Sequence, residues 1–285
     1  MNQLITGLLD LLHELHGRDI PITVGGGFGL YLKRRHLEAT GQRMLLDRLP
    51  EPRSTNDLDL FLRTEILVDL ERTRQVANAI DRLEYKVVDE AKYLQWERPI
   101  VVAGVTQTVK IDILVGPLGD ERKNLHVSMP RVRPKGDIKF HAHAVEEAVQ
   151  IEDAAWEIPV TGNRSTGESC TENVFVPQAF PYLMMKLHAF RDREARKEPI
   201  KAQQHALDLY AIVGMMTEEE YNQAKHWGAS LAENEHVREA RKIVHDHFAS
   251  PTAVGILRLR EHPLFRNDFQ LDGFISVHKE IFPDG

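Results

Sequence analysis

The sequence predicts an α/β (α+β) domain built on a mixed sheet, followed by a mainly α-helical domain, with the division at 1–174 and 175–285. Three observations carry this. A short β-branched run, "ITV" at 22–24, meets three consecutive glycines and then an apolar segment of helical period, so a strand turns sharply into a helix. Alternating segments such as "NDLDLFL" at 56–62 and "TQTVKIDILVG" at 106–116 read as strands with one buried face. From about residue 177 the apolar spacing becomes helical and stays so.

Taken in order, residues 1–16 form an amphipathic helix in which Asp10, His13 and Glu14 interrupt the apolar positions. Phe28 to about Leu37 continues as a helix from the glycines. "EATGQRMLLDRLPEPRST", with two prolines and many charges, is expected to be a surface excursion. Residues 65–83 read as one helix, and "YKVVDE" and "YLQWERPIVVA" as strands. Between 116 and 170 the signals are mixed, with short strands at "DIKFHA" and "AWEIPV" and Cys170 in a polar loop. Four helices follow at 177–196, 199–214, 217–231 and 236–248, with Pro199 near a helix start and Thr217 and Glu220 forming a capping box.

Composition excludes several classes. An apolar fraction of 42% with 28% charged residues is that of a globular protein, and no run of 18 apolar residues suggests a membrane span. One cysteine allows no internal disulfide and no cysteine-rich zinc site, which fits a reducing, cytoplasmic setting. A net charge of −7 offers no support for a general nucleic-acid coat. The N-terminal segment lacks a basic leader and a small-residue cleavage site.

The chemistry is expected where glycines and carboxylates meet. Glycines after a strand and at a helix start let backbone N–H groups approach an anion. The spacing is not that of a dinucleotide fingerprint, since Leu30 or Leu32 takes the last glycine position, and no Gly-Lys-Ser/Thr phosphate loop is present. A tight turn without chemistry is the plainer alternative. Asp57 and Asp59 share one strand face while Leu58 and Leu60 point the other way. Two such carboxylates repel unless a cation lies between them, and magnesium shared with substrate phosphates is the usual solution; a solvated outer face is the alternative. Asp112, between Ile111 and Ile113, is a third acid where an unpaired charge is costly. Three carboxylates on neighbouring strands suit a two-metal site for in-line displacement. Lys110 shares Asp112's face and either meets phosphate or forms a salt bridge.

In the helical half, Lys186 occupies the edge of the stripe of Leu183, Met184 and Leu187, where lysines commonly extend to solvent. Lys201, His205 and Asp208 fall on one helix face, where Asp208 has ion-pair partners available. The pairs His141/His143 and His245/His247 lack a third ligand at a zinc spacing. The run "RDREARK" is a solvated helix face or a local basic wall.

Together these motifs resemble the nucleotidyltransferase fold of the DNA polymerase beta superfamily. "GGFGL" with "RSTNDLDL" is most similar to the AbiEii-type nucleotidyltransferase toxins, which pair a G-G-x-x-L element with an Arg-x-Ser/Thr-x-Asp-x-Asp strand. The resemblance implies that Gly26 and Gly27 cradle the triphosphate of an NTP and that Asp57, Asp59 and Asp112 bind Mg2+. It places Lys186 at the nucleotide phosphates, Asp208 in or beside the site, and Arg53 and Thr55 as lesser phosphate contacts or loop closures. It implies NMP transfer to an acceptor hydroxyl, an RNA end such as that of tRNA, by a toxin with a cognate antitoxin, the helical domain completing the site. Transfer to a protein or an aminoglycoside-like small molecule, or nucleotide binding without turnover, are the rival readings. The chain departs from the family pattern in the long segment between Gly27 and Asp57, and in Phe28 where the family has Ser or Thr.

Overall fold

The computed structural model describes residues 1–52 and 55–283, and its contacts divide the chain into two compact units of three segments each. The first takes Met1–Lys33, Arg53–Glu146 and Ala155–Pro177; the second takes Arg34–Pro52, Glu147–Ala154 and Gln178–Gly285. Composition divides the chain once; the contacts interleave it.

The first unit contains α1 (Asn2–Leu15), β1 (Thr23–Val24), α2 (Gly26–Thr40) through Lys33, β2 (Asp57–Leu62), α3 (Thr64–Val68) and α4 (Leu70–Arg82). Then come β3 (Lys86–Val87), β4 (Gln95–Val102), β5 (Val105–Val115), β6 (Leu125–Ser128), β7 (Arg131–Pro134), β8 (Ala142–Ala144), β9 (Ala155–Asn163) and β10 (Ser169–Pro177). All the strands join one mixed sheet in the order β6-β7-β8-β5-β2-β1-β10-β9, with β4 paired to β5 and β3 to β4. The β1/β10, β2/β5 and β5/β8 pairs are parallel.

Alternation dictates the layering. Val109, Ile111, Ile113 and Val115 of β5 and Leu58 and Leu60 of β2 are buried in one core with the leucines of α1 and with Val76 and Ile80 of α4. Gly7 lets α1 approach closely: a Cβ there would lie 2.9 Å from Ile100 Cδ1 and 3.4 Å from Val109 Cγ1. The opposite face of β2 and β5 carries Asp57, Asp59, Lys110 and Asp112.

Several expectations need correction here. Helix α1 is buried nearly all round, because Asp10, only 1% exposed, is charge-compensated by Arg98 and accepts from Ser165 N–H at 3.0 Å. The helix expected over 65–83 breaks at Asp69, whose carboxylate caps α4 by accepting from Glu71 and Arg72 N–H. Strand β3 is only two residues long. "DIKFHA" is irregular except at Ala142, where β8 begins. Cys170 lies in β10, paired with Gly162 of β9, not in a loop.

The second unit is helical: α5 (Ala179–Ala195), α6 (Pro199–Gly214), α7 (Glu218–Ser230), α8 (Glu235–Phe248), α9 (Val254–Glu261) and α10 (Leu271–Ile281). The Thr217/Glu220 capping box is present on α7. The segment expected as a surface excursion is stitched into this unit. Leu46 is buried, Leu45 and Leu46 donate to the carbonyls of Met216 and Gly214, and Tyr210 Oη donates to Arg48 O at 2.9 Å. The Leu46 bond satisfies the Gly214 carbonyl, at the end of α6, that the helix itself leaves open. No helix among the described residues is long and apolar enough to cross a membrane.

His278 of α10 is fully buried, bonded at Nδ1 to Phe274 O (3.0 Å) and stacked on Phe248 with ring centroids 5.6 Å apart. Its Nε2 has no hydrogen-bond partner among the described residues. Burial pushes the imidazole down from 6.5 to about 4. The unfolded chain therefore takes up a proton below pH 6.5 that the folded chain refuses. Stability is expected to be full above pH 6.5 and to fall by about 3 kcal/mol at this residue as pH drops to 4. Urea unfolding between pH 7 and 4 should show that extra loss in the native protein and not in His278→Phe; identical slopes would remove His278 as the cause.

Candidate active site

The glycine turn is built by its neighbours. Thr23 and Val24 pair with Phe61 and Leu60 of β2, and Gly25 N–H donates to Asp59 O at 2.7 Å. A Cβ on Gly25 would meet the Phe61 ring at 2.8 Å. Gly26 has φ +57, and a Cβ on it would lie 1.6 Å from Asp59 Oδ2. Gly26 thus brings the start of α2 against the Asp59 carboxylate, an approach no other residue allows. Gly27 follows in the first turn of α2, and Phe28 is buried in the core.

Parallel pairing of β2 and β5 sets Asp57 beside Lys110 and Asp59 beside Asp112. Asp57, Asp59 and Asp112 therefore share one face on adjacent strands, all partly buried. Across the other edge of β5, Gln95 of β4 lies opposite Asp112 and donates from Nε2 to both its oxygens, at 2.8 and 2.9 Å. Burial lifts the Asp112 carboxyl from 3.8 to about 6; the Gln95 bond opposes the rise and the charges of Asp59 and Asp57 add to it. Lys110 Nζ is 4.0 Å from Glu97 Oε2, a surface pair.

Among the described residues no group of three or more His, Cys, Asp and Glu side chains forms a ready metal cage. Gln95 engages both oxygens of Asp112, and Asp59 packs on Gly26. The donor chemistry still fits magnesium. Hard carboxylate oxygens share this face, Asp112 is lifted mainly by burial and further by the charges of Asp59 and Asp57, and magnesium characteristically takes one or two protein carboxylates with the rest from phosphates and water. Asp57 and Asp59 are the residues able to hold it.

Other expected residues fall as follows. Thr55 Oγ1 accepts from Asp57 N–H at 3.3 Å and so closes the turn into β2. Arg53 lies outside the described residues. Lys186 is not an edge lysine: it is 8% exposed on α5, and its Nζ donates to Asp208 Oδ2 of α6 at 2.8 Å. Lys201 pairs instead with Glu198 at 3.3 Å. His141 Nδ1 lies 3.2 Å from Arg131 Nη1, in no metal cluster. Sequence reasoning missed Gln95, and the signal was there in part: it alternates with buried Trp96 in a strand two positions before Glu97, which faces Lys110.

No protein-family model matches the chain, and no curated protein matches it. A solved structure, the antibiotic-resistance factor ANT(2'')-Ia, studied in solution for its substrate-regulated conformation dynamics, is similar at a TM-score of 0.36 and 13% identity, covering 83% of this chain and 99% of that one.

Proposed function

We propose that this protein is a magnesium-dependent nucleotidyltransferase that moves NMP from an NTP to an acceptor hydroxyl. The observation that carries the reading is the register of Asp59 beside Asp112, with the Gly26 turn pressed on the Asp59 carboxylate. Asp57 and Asp59 would hold magnesium, which when bound offsets the phosphate charge and acidifies the acceptor hydroxyl. The backbone N–H groups of the first turn of α2 suit the triphosphate. Asp112, lifted to about 6, is placed to accept the hydroxyl proton near neutral pH. The acceptor oxygen then bonds the α-phosphorus as the bond to pyrophosphate breaks. Lys186, held by Asp208, is assigned to the phosphates by the family resemblance, which also supplies an RNA end such as tRNA as acceptor and an antitoxin as partner.

The test is incubation with magnesium, each α-labelled NTP, total RNA and cell protein, beside Asp57→Asn and Asp59→Asn. Label on RNA that falls by about 10³-fold or more in both variants is expected. Label confined to protein would replace the RNA acceptor with a protein hydroxyl. Nucleotide binding with no label anywhere would favour a regulator.

Gln95→Leu should slow transfer by about 10- to 100-fold while leaving the fold intact, as loss of a carboxylate-orienting partner does elsewhere. Unchanged turnover in steady-state kinetics would show that Gln95 is a bystander.

A further inference from the structure

The strand register extends the carboxylate face beyond β5. Leu114 of β5 pairs with His143 of β8, His143 with Arg131 of β7, and Arg131 with Ser128 of β6; Arg133 pairs with His126. Paired residues share a face, so His126, Ser128, Arg131, Arg133 and His143 stand on the same side of the sheet as Asp112 and Asp59. Their alternates Leu125, Val132 and Ala142 are buried on the other side. One sheet face is thus divided, acidic over β2 and β5 and basic over β7 with imidazoles on either flank.

Arg131 donates to Lys92 O and approaches His141 Nδ1, and neither arginine forms an ion pair with a carboxylate among the described residues. Arg133 is exposed. Burial, and then the charges of Arg131 and Arg133, push the His141 imidazole below its ordinary range, which places both arginines close to that ring. Arg131 is two strand spacings from β5, about 10 Å, and its row is two residues, about 7 Å, along from Asp112. Because β7 runs antiparallel to β8, Arg133 stands about 7 Å back along β7 from Arg131, in the row of Asp112 and two strand spacings across from it, and the Arg131–Arg133 step is comparable with that between successive phosphates of an extended strand.

We propose that the β6–β7–β8 end of this face is the track for the phosphodiester backbone of a polynucleotide acceptor, with Arg131 and Arg133 as its phosphate-binding side chains. The acids then receive the strand's terminal hydroxyl while the preceding phosphates lie over the arginines. This rests on the nucleotidyl-transfer reading for what the track feeds, but not for what it binds. Two arginines about 7 Å apart beside the acids match the repeat of a phosphodiester backbone, and charge complementarity favours a polyanion.

The test is fluorescence anisotropy of a labelled 12-nucleotide single-stranded RNA, and the DNA of the same sequence, across a salt series. The proteins are the native chain, Arg133→Gln, Arg131→Gln/Arg133→Gln and Arg131→Lys/Arg133→Lys. Native binding should weaken steeply with salt. The double glutamine variant should lose roughly tenfold or more, with a salt slope shallower by about 0.7 per arginine removed, and the lysine pair should recover most of it. Arg133→Gln, which breaks no internal bond, covers the case in which Arg131 is needed for folding. Equal effects on RNA and DNA identify the phosphates as the ligand. Magnesium-dependent NTP binding, measured alongside, should be unchanged. Oligonucleotide affinity that is absent in the native protein, or unmoved in the glutamine variants, overturns the track. So does loss of NTP binding in those variants, which would make the arginines nucleotide contacts. Failure of the native protein to bind NTP would instead count against nucleotidyl transfer, and the oligonucleotide result would still decide the track.

Discussion

Gly26→Ala is expected to abolish nucleotidyl transfer, by about 10²- to 10³-fold, while the chain still folds. Two effects act at one atom. A Cβ at φ +57 costs about 1 kcal/mol in backbone energy. It also lands 1.6 Å from Asp59 Oδ2 and 2.7 Å from its Cγ, so the carboxylate must rotate off the face it shares with Asp112. The side chain has room to yield, which spares the fold; the site has no substitute acid in that register, which forfeits the chemistry. Single-turnover transfer and a thermal melt, compared with Asp59→Asn, decide it. If Gly26→Ala turns over at the native rate, the turn has no part in placing Asp59. Because the two changes remove one arrangement, the double variant should be little worse than either alone.

Asp10→Ala is expected to cost about 3–5 kcal/mol, the largest stability loss at any single polar residue discussed here. The Asp10 carboxylate joins α1 to Arg98 of β4, to Ser165 N–H at 3.0 Å and to the Arg164 guanidinium at 3.9 Å. Both arginine side chains are 12% exposed, and Arg98 also lies over the Tyr85 ring, 4.9 Å from its centroid. Removing the carboxylate leaves the buried Arg98 guanidinium without its carboxylate partner and the Ser165 N–H without its acceptor, while Arg164 keeps Glu168 at 2.9 Å. Asp10→Asn keeps an acceptor for Ser165 and should lose less. Urea denaturation supplies the midpoints, and a cost under about 1 kcal/mol for the alanine variant would mean water replaces the carboxylate.

What the sequence revealed follows from which interactions are local. Asp57 and Asp59 were legible because "DLDLFL" alternates, and alternation exists only where one face is buried. That Asp112 joins them on a neighbouring strand was also expected, but the register that sets Asp59 rather than Asp57 beside it was not, since register is fixed by distant backbone bonds such as Lys110 N–H to Asn56 O. Gln95 reaches Asp112 through a hairpin whose turn, Ala103 and Gly104, both have positive φ; alanine there hides the usual Asn-Gly or Asp-Gly signal. Cys170 was read in a polar loop because the exposed positions at the start of β10 are Ser169, Thr171 and Asn173, polar residues at solvent-facing sites. Lys186 was put at a helix edge because periodicity sees one helix; the burial comes with Asp208, on the next helix. The segment 41–52 looked solvated from its prolines and charges, yet Leu46 and two backbone N–H groups tie it to the end of α6.

The place of β1 in the sheet has a consequence for biosynthesis. Thr23 pairs on one side with Phe61 and on the other with Phe175. The ribosome therefore releases the strand that carries the glycine turn long before it makes the strand that flanks it. Until Pro177 has emerged, the turn sits at an open sheet edge, and closure must bridge the widest sequence separation in that unit's pairing. The nascent protein thus carries its carboxylates early but flanks its glycine turn on both sides only once nearly two thirds of the chain has been made.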